Sequence, residues 1–202
     1  RGRGPEYSEK ITLNEQNFIT AQSIEGVNYR KVAVNENFST TETTATWKNP
    51  KGEDQGTISE DELYFRYDGS PAVYEILAQH LLKSTSGKIR LLPEGEAELV
   101  KKIPLTLKNG TPLDLLMIKG LDMSPTYLWM QGDQMVCSIS GNLHVVLEDF
   151  KELRSEMKKL QDIVEDDYLI EISEKLTHPI EKVVVQNTNV FTANGSMLLN
   201  QD

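Results

Sequence analysis

Apolar and polar positions alternate with period two through most of the first half of the chain. "KITLNEQNFITAQSIEG" holds two strand-like runs separated by Asn14-Glu15-Gln16. "VNYRKVAVNENF" alternates through Val27, Tyr29, Val32 and Val34, and "FSTTETTATWKN" is rich in threonine, which suits a half-exposed sheet. "NPKGEDQGTISED" reads as a polar turn region, and "ELYFRY" as a short strand. The period then changes. In "GSPAVYEILAQHLLKSTSG", Val73, Ile76, Leu77, His80 and Leu81 recur every three or four residues. Ser70 is placed to cap this helix, Pro71 to open it and Gly87 to stop it, which predicts a helix over 71–84. Residues 88–146 return to strands. Their expected turns are Pro93-Glu94-Gly95, Asn109-Gly110, Asp122 to Pro125, and Gly132-Asp133. Phe150, Leu153, Met157, Leu160 and Val164 then step by threes and fours, and Ile163 and Tyr168 would extend that face. A long helix over 149–176 is expected, ending before Pro179.

Strands in series joined by tight turns indicate an antiparallel meander rather than βαβ units, and the fold class is α+β. The expectation is one curved antiparallel sheet over 7–146, partly barrel-like, with an inserted helix and then the long helix. The domains expected are 1–148 (β-rich), 149–178 (helix and connector) and 179–202 (a terminal strand pair turning at Asn194-Gly195). The boundary is placed at Thr177–Pro179.

The chain of 202 residues carries a formal charge of -10, which argues against a nucleic-acid-binding surface. Its basic cluster, Arg1-Gly2-Arg3, is too short to alter that. The single cysteine, Cys137, makes no intrachain disulfide and reads as a small buried hydrophobe. No apolar run reaches the ~18 residues of a spanning helix. A chain that begins with Arg is expected to belong to a longer product, with any targeting segment outside it.

The catalytic inventory is thin. His80 reads as packed, His144 as a strand-edge residue and His178 as a solvated junction. No HxH, HExxH, calcium loop, glycine-rich phosphate loop or G-x-S-x-G elbow occurs. The acidic stretch "GEDQGTISEDE" reads as a solvated loop. Trp47, Tyr127 and Trp129 either pack in the core or face an apolar ligand within a curved sheet.

"VVVQNTNVFTANGSMLLNQD" resembles the opening strands of amidohydrolase-superfamily enzymes, through Val183–Asn187, Asn189-Val190-Phe191 and Leu198–Asp202. "RYDGSPAVYEILAQHLLKS", "GKIRLLPEGEAELVKK" and "IKGLDMSPTYLWMQGDQMVCSISG" are similar to the N-terminal extension of a subset of bacterial members. The resemblance covers about residues 60–202 and implies a periplasmic or secreted enzyme, as a lipoprotein in some cases. It also implies a divalent metal such as zinc, held by a catalytic barrel domain of the same chain beyond these residues. No catalytic, cofactor or metal residue carries over to residues 1–202. A homo-oligomer is a further partner that this reading admits. Two other readings stand beside it. One is a lipocalin-like or lipoprotein-carrier-like module for an apolar ligand. The other is a structural or oligomerisation module with the long helix at 149–176 as its contact surface, Leu153 and Met157 included.

Overall fold

In the computed structural model, residues 4–59, 62–66, 69–141, 143–178 and 180–201 are described, 198–201 by their backbone alone. Arg1-Gly2-Arg3, Pro179 and Asp202 lie outside the described residues, so the basic cluster and the proline of the expected boundary do too. The chain divides into two units, one ending at Gln161 and the other starting at Asp162.

The strand region of the first unit forms two sheets instead of one. Strands β1 (Glu6–Leu13), β2 (Ile19–Val27), β3 (Ala33–Thr40), β4 (Thr44–Asn49) and β5 (Gly52–Thr57) make a five-stranded antiparallel meander in sequence order. Three expectations shift here, each for a local reason. Tyr29 and Val32 stand exposed in the β2–β3 turn, because the Asn28 side chain accepts the N–H groups of Arg30 and Val32. That Asx turn overrides the alternation around it. The Thr-rich run breaks at 41–43 into β3 and β4. The polar stretch after Pro50 becomes β5, an edge strand whose acidic and glycine positions suit a border with solvent.

The first sheet is amphipathic by register. Ser23, Asn37, Lys48 and Glu53 fall opposite one another and share its polar face. Ile24, Val34, Phe38 and Ala45 point the other way and are buried. That buried face also carries Glu9, Gln22 and Glu36, polar residues in positions that the alternation assigns to the core.

The second sheet contains β6 (Glu62–Tyr64), β7 (Lys88–Leu92), β8 (Glu96–Thr106), β9 (Pro112–Lys119), β10 (Thr126–Gln131), β11 (Gln134–Ser140) and β12 (Leu143–Val146). Their order is β12-β11-β10-β9-β8-β7-β6. From β7 on it is the expected antiparallel meander, with turns at Asn109-Gly110 and Gly132-Asp133. At its end β6 and β7 pair in parallel. Helix α1 (Ala72–Lys83) connects them, which makes one βαβ crossover where the sequence indicated none. Three residues are too few to show a strand's period, so β6 is nearly silent in the sequence.

Helix α1 begins one residue later than expected. The Ser70 hydroxyl accepts the N–H of Ala72 at 3.3 Å. Val73, Leu77, Ala78 and Leu81 are buried in one cluster with Leu116, Ile118, Leu128 and Met130 of the second sheet and Ile19 and Phe38 of the first. Glu75 accepts the Met135 N–H at 2.8 Å, and Gln79 donates to the Asp133 carbonyl at 2.8 Å, which ties the helix to the β10–β11 turn.

The other face of the second sheet is buried as well. Leu115 and Cys137 flank Trp129 in register, and all three are buried. This is why β9 and β10 read as continuous apolar runs. The long helical segment opens as a 3-10 helix over Glu148–Leu153 and continues as helix α2 (Arg154–Leu176). Its Met157 is fully buried, and Glu156 accepts the Lys108 N–H at 2.8 Å. Ile163, expected to extend the apolar stripe, is 59% exposed.

The second unit contains the rest of α2 and a two-stranded sheet, β13 (Thr188–Phe191) with β14 (Met197–Gln201), turning at Asn194-Gly195 as expected.

Gly120, just after β9, has φ +92, and a Cβ there would lie 1.9 Å from the Glu96 carbonyl oxygen. Only glycine lets β8 and β9 approach at that point. Gly120→Ala is expected to lower stability by about 2 kcal/mol or more in urea unfolding. An unchanged midpoint would mean that this approach is not required.

Candidate functional site

The buried polar face of the first sheet meets the segment running from β6 to α1. Tyr64 donates to the Glu36 carboxylate at 2.6 Å, with both residues buried, and its ring stacks on Phe38 at 4.2 Å. Burial, then Glu36, push the Tyr64 hydroxyl far above its ordinary range. It is held protonated, so it donates to Glu36 and does not act as a base.

A second polar group lies in the same layer. The Glu9 carboxylate accepts from Gln22 Nε2 at 2.5 Å and from the Ser70 N–H at 2.7 Å. Arg66 Nε stands 3.8 Å from Glu9 Oε1, and both side chains are nearly sealed from solvent. Arg66 also donates to the Ser70 carbonyl, and its guanidinium lies over the rings of Phe65 and Tyr74 at 5.5 and 5.2 Å. Burial lowers its pKa, while Tyr74, Glu9 and Glu36 oppose that shift. Glu62, which the sequence placed in a solvated loop, is buried. It accepts from Arg90 at 2.6 Å and from the Ser59 N–H at 3.2 Å. The acidic stretch thus ends in an ion pair under the sheet edge.

Next to this layer is a cleft of about 480 Å³ lined by Tyr7, Asn49, Lys51, Arg66, Tyr74 and Leu121, among others. Its lysine is paired with Glu94 at 2.5 Å. A second cleft, of about 690 Å³, is lined by Phe18, Ser59, Glu62, His80, Lys88 and Arg90. His80 is buried on α1, as its position on the apolar face predicted. It donates from Nε2 to the Asn17 carbonyl at 2.9 Å and stacks on Phe18 at 3.9 Å. Burial lowers its pKa, the Asn17 carbonyl raises it and Lys83 lowers it further.

The three aromatic candidates separate. Trp129 is fully buried, and its indole N–H donates to Gln161 Oε1 at 3.1 Å. Gln161 in turn donates to the Ile139 carbonyl at 3.1 Å. Tyr127 is buried beside Met117 Sδ at 3.4 Å. Both occupy a filled interior, as core packing requires. Trp47 is half-buried in β4 over a shallow groove that Ser39, Thr46 and Gln55 also line. Cys137 is buried and its thiol is pushed up to about 11, which suits a packed hydrophobe and not a nucleophile.

His144 donates to the Gly141 carbonyl at 3.3 Å, and His178 is exposed. Among the described residues there is no group of three or more His, Cys, Asp or Glu able to hold a metal. None of their helices is long and apolar enough to cross a membrane. The Glu9–Arg66 ion pair is not closed by a direct hydrogen bond, and Arg66 Nε and Gln22 Oε1 are buried without a hydrogen-bond partner among the described residues. Sequence reasoning missed Glu9, Gln22, Glu36 and Arg66. The available signal was polar residues at in-facing positions of alternating strands. Gln161 had a signal too, since it sits on the Met157 stripe at i+4.

Tyr64→Phe removes the buried bond to Glu36 and is expected to cost about 1–3 kcal/mol in urea unfolding. Glu36→Gln keeps an acceptor for the hydroxyl and should cost less; a larger loss for Glu36→Gln would place the main cost in Glu36's charge. For His80, folded and unfolded forms are both neutral well above its ordinary 6.5. As pH falls through 6.5 the unfolded chain takes up the proton while the folded chain resists it. Stability therefore falls from about pH 6.5 downward until the lower folded value is passed. The pH-dependent part should shrink in His80→Gln, read as the difference between the two unfolding curves; parallel curves would remove His80 as the cause. Comparison of the chain with protein-family models, curated proteins and solved structures yields no match.

Proposed function

We propose that the chain is the non-catalytic N-terminal region of an exported, metal-dependent amidohydrolase-like enzyme. Its segment from 180 to 201 would join a β-sandwich beside a catalytic barrel of the same polypeptide. The barrel would hold the divalent metal, such as zinc, and would cleave amide or related bonds through a metal-activated water. The observation that carries this reading is the apolar surface of that segment. Val183, Val184 and Val185 are 63–69% exposed, and Phe191 and Met197 are exposed as well. Val183, Val184 and Val185 lie outside any strand, against the strand expected there, and Phe191 and Met197 belong to the β13–β14 pair. A two-stranded hairpin is marginal by itself in water and gains stability from a sheet that covers its apolar side.

Two observations count against the competing readings. Tyr127 and Trp129 face packed side chains, so a lipocalin-like cavity around them has no support. Met157, suggested as an oligomer contact, is fully buried inside the first unit. Elsewhere on the same helix Ile163, Leu169, Ile170 and Leu176 are exposed, so the burial of Met157 bears on that position alone.

The reading is tested by hydrogen exchange on the chain alone and on the chain continued in its own reading frame. Amides of 183–191 should exchange almost freely in the first and be protected by about a hundredfold or more in the second. Strong protection in the chain alone, or a continuation without an HxH on its first barrel strand, would sink it.

A further inference from the structure

The chain has two Asn-Gly turns, Asn109-Gly110 and Asn194-Gly195, and the second has a side-chain environment suited to a covalent change. In an Asn-Gly pair the glycine nitrogen can attack the asparagine Cγ, since no side chain on the glycine blocks the approach. The attacking nitrogen gives its proton to solvent base, the N–Cγ bond forms, and negative charge gathers on Oδ1. The Cγ–Nδ2 bond then breaks, and nitrogen leaves as ammonia with a proton from water. Water opens the resulting succinimide at either carbonyl, leaving aspartate or isoaspartate. The balance is asparagine plus water to acid plus ammonia, with no redox partner.

At Asn194 the oxygen that would take this charge is surrounded by donors. The Ser196 N–H reaches Oδ1 at 3.1 Å and the Ser196 hydroxyl at 2.5 Å, and the Thr192 hydroxyl is a third partner. The Thr192 hydroxyl also lies 2.7 Å from the Ser196 hydroxyl and 2.9 Å from the Ser196 carbonyl, so its one proton has other acceptors in the turn besides Oδ1. At Asn109 the Thr111 N–H donates to Oδ1 at 3.0 Å, with no hydroxyl in the turn described as reaching it. Donors aimed at the atom where charge develops lower the barrier to attack.

The attacking nitrogens also differ in how freely they are released. Each glycine N–H is held by a turn carbonyl, Gly110 by Leu107 at 2.8 Å and Gly195 by Thr192 at 3.0 Å. Freeing Gly110 means opening the end of the long β8–β9 pairing inside a seven-stranded sheet. Freeing Gly195 means opening a two-stranded hairpin. Local opening is easiest where few buried contacts oppose it.

We infer that Asn194 is a site of spontaneous deamidation, activated by the Thr192 and Ser196 side chains, while Asn109 is protected by its sheet. The change adds one negative charge at the β13–β14 turn. As isoaspartate it also lengthens the backbone there, which shifts the pairing of the two strands. The inference does not rest on the proposed enzyme.

The test is timed peptide mapping by mass spectrometry of the full chain at mildly alkaline pH, native and in urea. In the native chain Asn194 should convert at least about tenfold faster than Asn109, and in urea the two rates should converge. Ser196→Ala and Thr192→Val should each slow Asn194 by about threefold or more in the native chain, with Asn109 in the same molecule as internal reference. Equal native rates at the two sites, or an Asn194 rate that neither variant changes, would overturn the inference.

Discussion

The first unit depends on burying charge between its two sheets without leaving it unpaired. Glu9 and Glu36 project from the first sheet into the layer where Tyr64 and Arg66 arrive from the second. An isolated carboxylate or guanidinium in that layer would cost several kcal/mol. The two sheets can therefore close only in the register that brings Tyr64 to Glu36 and Arg66 to Glu9. Apolar packing of Phe38, Leu63, Leu77 and Leu116 supplies the drive for that closure, and the polar pairs select one arrangement from the many that apolar contact would accept.

The same constraint explains the short strand β6. Three buried residues are a small contribution to a sheet, yet β6 presents Tyr64 to the first sheet and places Glu62 to receive Arg90. The crossover through α1 then returns the chain to β7 beside it. On the far side of the second sheet, Gln161 plays a comparable part. It satisfies the Trp129 indole and caps the Ile139 carbonyl, so a polar residue seats α2 on an apolar face. The groups with titratable chemistry are thus absorbed in holding the layers together.

The stretch from 180 to 201 contrasts with this. Its apolar residues with described side chains are exposed, and its β13–β14 pair is joined by turn hydrogen bonds around Thr192, Asn194 and Ser196. The concentration of short polar side chains that stabilises the turn also polarises the Asn194 amide. A turn built to hold a hairpin in place is therefore the point where its chemistry is least stable.

Much of the architecture was legible in the sequence. Short strand-like runs divided by Asn-Gly and Gly-Asp turns determined the β7–β11 meander, and three-to-four spacing determined both helices to within a residue or two. His80 and Cys137 were legible as packed residues because each sits on a face whose neighbours are apolar. The α+β class followed from the order of these periods. What the alternation could not show was partition into two sheets, because period two records which face a residue takes and not which sheet its strand joins. Nor could it show the parallel β6–β7 pair, since three residues carry no period. The buried pairs Glu36–Tyr64 and Glu9–Arg66 were settled by tertiary structure alone. Each partner is tens of residues from the other in sequence, and a polar residue at a core position reads as an exception until the fold brings its counter-group to it.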